Sequence, residues 1–413
     1  MSLPAGYRIV DVPAEANREW LVTDGWAFPG DIDPDVAAEW PSSLDWTRTR
    51  GVRTDDDELV ATHASFAYHA LPVPGGRART SGLTWVGVHP GHRRRGLLRA
   101  MIDDHFTRSL ARGEVLSLLF AAEPAIYGRF GYGLAAHQLR VKVPRQAALR
   151  DVPGADRIRL RLETVDAERH GAAVAAVHGS VDRPGWTTRE SRAQATAFLH
   201  DPPQHRGGAE QLRIALAERD GEPVGYALLR RKTDWQRGGP RGTVRVRELC
   251  APDPAVARAL WGLLVDLDLT STVDVGCLAV DDPITHLLVD VRAAEADWQD
   301  NLWARLLDVP AALAARRYAR DVDVVLEVRD TLLPANDGRW RLVGGPDGAQ
   351  VAATDAPADL ALDVRELGSA YLGGLSLAAM AAGGQVTELR SGTLGSAATA
   401  FGWPVAPVAS FVW

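Results

Sequence analysis

Residues 83–133 read LTWVGVHPGHRRRGLLRAMIDDHFTRSLARGEVLSLLFAAEPAIYGRFGYG. The run divides into strand, tight loop, long helix, strand and short helix. Leu83 to Val88 reads as an apolar strand bounded by Pro90 and Gly91. His89 to Arg95 reads as a loop that ends at Gly96. Leu97, Leu98, Met101, Ile102, Phe106 and Leu110 then recur at the spacing of one helix face, and Gly113 closes the pattern. Val115 to Ala121 predicts a second buried strand. Pro124 stands where a helix can start, with Tyr127 three residues on.

A loop that ends without a bulky side chain lets backbone N–H groups point into one space. The helix after it adds unpaired N–H groups and the positive end of its dipole. Together they make an anion site, and Gly96 allows close backbone approach to a phosphate. Arg93, Arg94 and Arg95 add local positive charge. A short basic loop with one glycine, taken alone, is also an ordinary solvated loop.

Context selects between these readings. The order V-x-P-x-x-R-x-x-G after a strand, then helix, strand and Y-x-x-x-G-Y, resembles the GNAT superfamily of acyl-CoA-dependent N-acyltransferases. Val88, Pro90, Arg93, Gly96, Tyr127 and Gly131 carry the match. Leu98 departs from it, standing where many members have Gly or Ala. HRRRGLLRAM followed by IYGRFGYG resembles one branch, the enhanced intracellular survival (Eis) family. LWARLLDVPAALAARRYA (302–319), LGSAYLGG (367–374) and the aromatic last residue Trp413 extend the resemblance over almost the whole chain.

The chain has 413 residues, too many for one ordinary core, so two or three domains are expected. A formal charge of −7 with no basic field argues against a nucleic-acid partner. Two cysteines, Cys250 and Cys277, exclude a disulfide scaffold and a cysteine-built zinc site, and the eleven histidines lack metal-ligand spacing. No apolar run approaches the roughly 18–20 residues that span a bilayer, and MSLPAGYRIVDV lacks a secretory pattern. A soluble, cytoplasmic protein without a membrane partner is expected.

Outward from the central run, residues 7–12 predict an opening strand, 14–22 and 34–40 short helices, and 46–53 and 59–70 strands around the turn at 54–57. Asp24, Asp31, Asp33 and Asp35 lie among those helices as solvated or capping acids that can also attract a cation. Residues 72–76 read as a loop, and 134–143 as a returning strand. The first domain is expected to end at 150. From 151 to 300 the strand–loop–helix order repeats, with a strand at 244–250 and a helix at 255–267. Its loop has no glycine and two prolines, which lack the N–H that binds phosphate. This predicts a second, degenerate GNAT-like domain. Residues 301–413 form the third expected domain. There 300–319 reads as mostly helical, broken at Pro310, followed by short strands and Ala-rich helices in an α+β order.

The fold class expected is therefore α/β (α+β): tandem GNAT-like domains, mixed sheets with flanking helices, and a C-terminal domain that family resemblance makes sterol carrier protein-like. The apolar faces of the third domain are explained as core, without lipid binding. The resemblance implies acetyl-CoA as co-substrate, with no metal. It implies cofactor contacts at Val86, Gly87, Val88, Arg94, Arg95, Gly96, Leu97, Leu98, Arg99, Ala122 and Glu123. The resemblance also implies that Tyr127 lies next to the CoA sulfur, and a phenol near pKa 10 stays protonated and can serve as the acid for a leaving thiolate. Tyr132 reads as structural. In the family the terminal carboxylate reaches the active site, which here makes Trp413 the base; Glu123 acting through water is the alternative. Family resemblance also implies a homo-hexamer. Val412 replaces an acidic residue of some members, and Ala122 a serine. The function implied is N-acetylation of a primary amine on a small aminoglycoside- or polyamine-like molecule. The alternatives are protein lysine acetylation and a non-catalytic CoA-binding or scaffolding role.

Overall fold

The computed structural model describes residues 3–30 and 32–413. The chain separates into two compact units. One contains the chain through Ala136, Leu302–Pro404 and Trp413; the other contains His137–Asn301 and Val405–Val412.

The first unit is built on a seven-stranded sheet. Its order is Tyr7–Asp11, Thr49–Thr54, Leu59–Val73, Gly76–Val88, Leu116–Leu119, Trp303–Leu306 and Gly133–Leu134. The hairpin of Leu59–Val73 and Gly76–Val88 is longer than the sequence pattern indicates, because its strands extend into the expected loop at 72–76. Asn17–Gly25 packs on this hairpin, and Trp20 lies in a cluster with Val12, Leu44, Leu59 and Ala64. Leu97–Ala111 divides its apolar residues between two clusters. Leu97 and Met101 meet Val52, Val60 and Ala61, while Ile102 and Phe106 meet Leu83, Leu119 and Tyr132. Leu110, counted on the apolar face from its spacing, is exposed at the last turn. A second sheet of this unit has the order Gly348–Ala353, Gly338–Gly345, Val322–Arg329, Leu360–Asp363 and Val386–Glu388.

The segment expected to be helical from 300 onward begins as strand instead. Trp303–Leu306 runs antiparallel to Leu116–Leu119, pairing Trp303 with Leu119 and Leu306 with Leu116. The helix begins only at Val309, capped by Asp308. A short apolar run fits either period, and here an open strand edge decides it. Arg305 of this strand is fully buried and held by Asp330 at 2.6 Å. Close approach to Val364–Tyr371 depends on glycine, since a Cβ on Gly133 would come within 1.9 Å of the Arg365 carbonyl oxygen.

The second unit has the sheet order Glu295–Asp300, His137–Pro144, Thr270–Leu278, Gly242–Cys250, Glu222–Lys232, Arg213–Arg219 and Arg159–Thr164. His137–Pro144, read from sequence as a returning strand before a boundary at 150, belongs to this sheet. Its inward residues Leu139, Val141 and Val143 alternate with polar ones and join Val244, Val246, Val273, Val275, Leu260 and Trp261 in one core. Thr270–Leu278, a strand the pattern did not reveal, lies parallel to Gly242–Cys250.

Candidate active site

The loop 93–96 places two left-handed residues just before a helix that no side chain caps. Arg94 and Gly96 both have left-handed backbone, with φ of 61° and 82°. Alternating handedness turns successive N–H groups toward one concavity. Gly96 is the N-cap of Leu97–Ala111, and no side chain caps this helix. A Cβ built on Gly96 meets nothing within 4 Å, so the space beside it is open. Arg94 is exposed and has no ion pair among the described residues. Arg95 is engaged within the loop, donating to the Tyr7 hydroxyl at 2.8 Å and the Gly91 carbonyl at 3.2 Å. Arg99 pairs with Asp103 one turn along the helix at 3.0 Å.

The strand before the loop supplies a second element. Gly76–Val88 pairs in parallel with Leu116–Leu119 only through Thr80, Ser81 and Gly82. Its register against the other neighbour shifts where Thr62 faces Gly87 and Ala64 faces Thr84. That bulge holds Trp85 at a φ of 53°, an uncommon conformation for a bulky residue. Beyond Gly82 no pairing joins the two parallel strands among the described residues, and Val86 and Ala121 both pack against the cluster of Leu83, Ile102 and Leu119.

Tyr127 ends the short helix Pro124–Tyr127. It packs with Val86, Leu98, Ala121 and Ile126 around Leu83, Ile102, Phe106, Leu119 and Tyr132. The structure thereby brings Tyr127 into one cluster with two of the expected cofactor residues. Burial, with the Glu123 carboxylate adding to it, pushes the Tyr127 phenol up to about 12. Glu123 itself is exposed, as is Ala122. Tyr132 is fully buried and bonded to Ser117, which also bonds His105 at 2.8 Å, in keeping with a structural part.

Trp413 docks in the first unit. Its ring lies 4.6 Å from that of Phe120 and 5.3 Å from that of Tyr68, centroid to centroid. Gly82 makes room, since a Cβ there would come within 3.1 Å of the indole nitrogen. The main-chain oxygen of Trp413 accepts a hydrogen bond from Thr84 Oγ1 at 3.1 Å. Trp413 therefore sits next to the bulge. Sequence reading missed Thr84, Phe120 and Gly82, which become visible only when the last residue is seen against this strand.

It also missed the environment of Asp24. Read as a solvated or capping acid, Asp24 instead has an Oδ1 that is buried and without a hydrogen-bond partner among the described residues. A Cβ on Gly87 would lie 3.7 Å from that oxygen. Burial alone raises its pKa to about 7. Asp33 does cap Pro34–Ala38, and Asp35 pairs with Arg18. Asp31 lies outside the described residues.

The chain matches two descriptions of an acetyltransferase (GNAT) domain, at residues 12–135 and 179–306, and a sterol carrier protein domain at residues 309–410. It is 43% identical to an uncharacterized N-acetyltransferase of Streptomyces avermitilis over 392 residues, covering 94% of this chain and 95% of the relative. It is 35% identical to the N-acetyltransferase Eis of Mycobacterium tuberculosis over 374 residues, covering 86% and 87%. The crystal structure of Eis1 from Mycobacterium abscessus superposes with a TM-score of 0.83 at 30% identity, covering 98% of this chain and all of that one.

Proposed function

This chain belongs to the Eis family of GNAT N-acetyltransferases, and we propose that it transfers an acetyl group from acetyl-CoA to a primary amine of a small cationic molecule by direct attack. Acetyl-CoA would lie along Val86, Gly87 and Val88, with its phosphates on the loop that ends at Gly96 and on Leu97 and Leu98. Of the arginines, Arg94 is available to those phosphates, while Arg95 and Arg99 support the loop and helix through Tyr7, Gly91 and Asp103.

The observation that supports the mechanism is the main-chain oxygen of Trp413 held by Thr84 beside the bulge, where a terminal carboxylate would serve as the base. A carboxylate near pKa 3.5 is a poor base toward a free ammonium near 10. It is better matched later. As the amine nitrogen bonds to the thioester carbonyl carbon, it gains positive charge and its proton becomes acidic, and the carboxylate can take it. The carbonyl electron pair moves to oxygen and returns as the C–S bond breaks. Tyr127, held protonated by burial, donates its hydroxyl hydrogen to the departing sulfur. Glu123 acting through water remains the alternative base. Asp24 adds a carboxyl that ionises near neutrality beside Gly87 and can hold the cationic acceptor. A homo-hexamer is the proposed assembly, and light scattering at micromolar concentration tests it.

The test of this function is turnover measured as thiol release over a panel of polyamines, aminoglycosides and lysine peptides, with the native terminus, an amidated terminus and one extra residue. One added residue moves the charge by about 3.5 Å, enough to lose a near-attack geometry. The expected result is loss of most activity in both altered forms with acetyl-CoA affinity retained. Full activity with a blocked terminus would move the base to Glu123.

A further inference from the structure

The second unit also has a bulge before its helix. In Gly242–Cys250, Glu248 faces Leu228 and Val246 faces Leu229, so Arg247 is the extra residue. Its parallel pairing with Thr270–Leu278 also ends at the bulge, at Val246 and Val275. A bulge re-aims the side chain it carries, and such irregularities are frequent next to functional sites. In the first unit the equivalent bulge adjoins the main-chain oxygen of Trp413. Here it presents a guanidinium.

Arg247 is half-buried. Its guanidinium carbon lies 4.4 Å from the centre of the Phe198 ring, and that of Arg189 lies 3.4 Å from the same ring. The nearby carboxylates are already engaged. Glu248 accepts from Arg189 at 2.7 Å, from Tyr226 at 2.6 Å and from Ser410 at 3.0 Å. Asp201 holds Arg230 and Arg206 and accepts from the Leu212 amide. Arg247 has no hydrogen bond or ion pair among the described residues. Four guanidiniums thus share two carboxylates. Arg230 and Arg189 keep buried Nε atoms that have no hydrogen-bond partner among the described residues. Burial first, then repulsion from Arg230 and Arg189, brings the Arg247 pKa down to about 10, with the attraction of Glu248 and Asp201 offsetting this only in part. Arg247 in turn adds to the burial that lowers His205.

Stacking on Phe198 attracts the cation but does not neutralise it. An uncompensated charge in a partly desolvated place is costly unless an opposite charge joins it. The guanidinium fork matches the paired oxygens of a carboxylate or phosphate. We propose that Arg247, with Arg230 and Arg189, forms a binding site in the second domain for a small molecule bearing a carboxylate or phosphate. The degenerate domain, having no glycine loop, would then bind an anion with side chains rather than backbone.

Calorimetric titration of the full chain tests this. Inorganic phosphate and succinate are each titrated at low salt, with CoA saturating the loop at Gly96. The same titrations are made with Arg247→Gln and Arg247→Lys. Expected is one saturable site per chain in the wild type, weakened about tenfold or more in Arg247→Gln and less in Arg247→Lys, where the charge stays and the fork is lost. Heat from phosphate alone assigns a phosphate-bearing ligand, and from succinate alone a carboxylate. Without added oxyanion, Arg247→Gln should melt no lower than wild type, because it removes an unbalanced charge. Absence of saturable binding by either anion overturns the site, as does equal affinity in Arg247→Gln. If that variant does not fold, wild-type affinity in Arg247→Lys overturns it.

Discussion

Gly76–Val88 and Gly242–Cys250 each carry a bulge near the end of the strand, part from a parallel neighbour at or just before it, and lead into a helix. The two strands differ in how they enter that helix. After the first, Arg94 and Gly96 turn left-handed and the helix starts with no side-chain cap. After the second, Asp253 caps the helix through the Val256 amide at 3.0 Å, Pro254 removes another N–H, and Arg219 pairs with the capping carboxylate. The first helix leaves its positive end open to an outside anion. The second satisfies that end with an anion of its own. Beside the second bulge, Ser410 of the chain's tail bonds to Glu248, while Val408 packs in the cluster of Tyr226, Leu228 and Cys250. A carboxylate and a proline at the helix start thus close the second helix to an outside anion without a change of fold.

The sharpest way to break this comparison is to give the first loop what the second has. Gly96→Glu puts a carboxylate and a side chain at a φ of 82°, into the space now open. Acetyl-CoA binding should fall below detection by calorimetry in a folded variant; undiminished affinity would mean that the loop is not the phosphate site.

The next largest effect is expected in the second domain. Glu248→Gln leaves Arg189 buried with one charge partner fewer, a loss of roughly 3 kcal/mol or more by analogy with other broken buried pairs. Arg189 and His178 hold the Glu248 carboxyl well below the usual range despite its burial. A depressed carboxylate contributes stability that is complete above its unfolded pKa near 4.3 and is lost as pH falls below it. Thermal melts should thus show the wild type losing its advantage over the variant between about pH 5 and 3. A gap that stays constant through that range would show the ion pair to be of no consequence.

Tyr127→Phe should lower kcat by about 10²-fold, with cofactor affinity nearly unchanged, within the range for a lost general acid. Unaltered turnover under conditions where chemistry limits would remove Tyr127 from the mechanism.

Asp24→Asn should have the smallest effect. With a folded pKa raised to about 7, the buried carboxyl costs nothing below its unfolded value near 3.9 and progressively more as pH rises toward 7. The variant should melt a few degrees higher than wild type at pH 8 and equally at pH 4. A constant difference across that range would show that Asp24 does not titrate there.

Much of the first domain was legible because its signals are local. Gly96 before an amphipathic run marks a helix start, Pro124 marks the next, and the hairpin turn at 54–57 separates two β-patterned segments. The exchange of strands was not legible. Nothing in WARL specifies the open edge of Leu116–Leu119 as its partner, and nothing in HQLRVKV excludes the first sheet. Four to eight residues fix a period without naming a neighbour. Asp24 and Arg247 were opaque for a related reason: an acid or arginine in sequence carries no record of which carboxylates and guanidiniums are already engaged around it.

By itself, the sequence determined the two strand–loop–helix units, the loss of glycine from the second loop, the tyrosine after Pro124 and the aromatic end of the chain. These rest on backbone permissions of single residues and on short periodicities. Tertiary structure alone decided that Trp303–Leu306 completes the first sheet and that His137–Pro144 completes the second. It also decided that the main-chain oxygen of residue 413 meets a hydroxyl at residue 84. Such pairings depend on which edges and pockets remain unfilled once every other segment has packed, and that is a property of the whole chain rather than of any stretch within it.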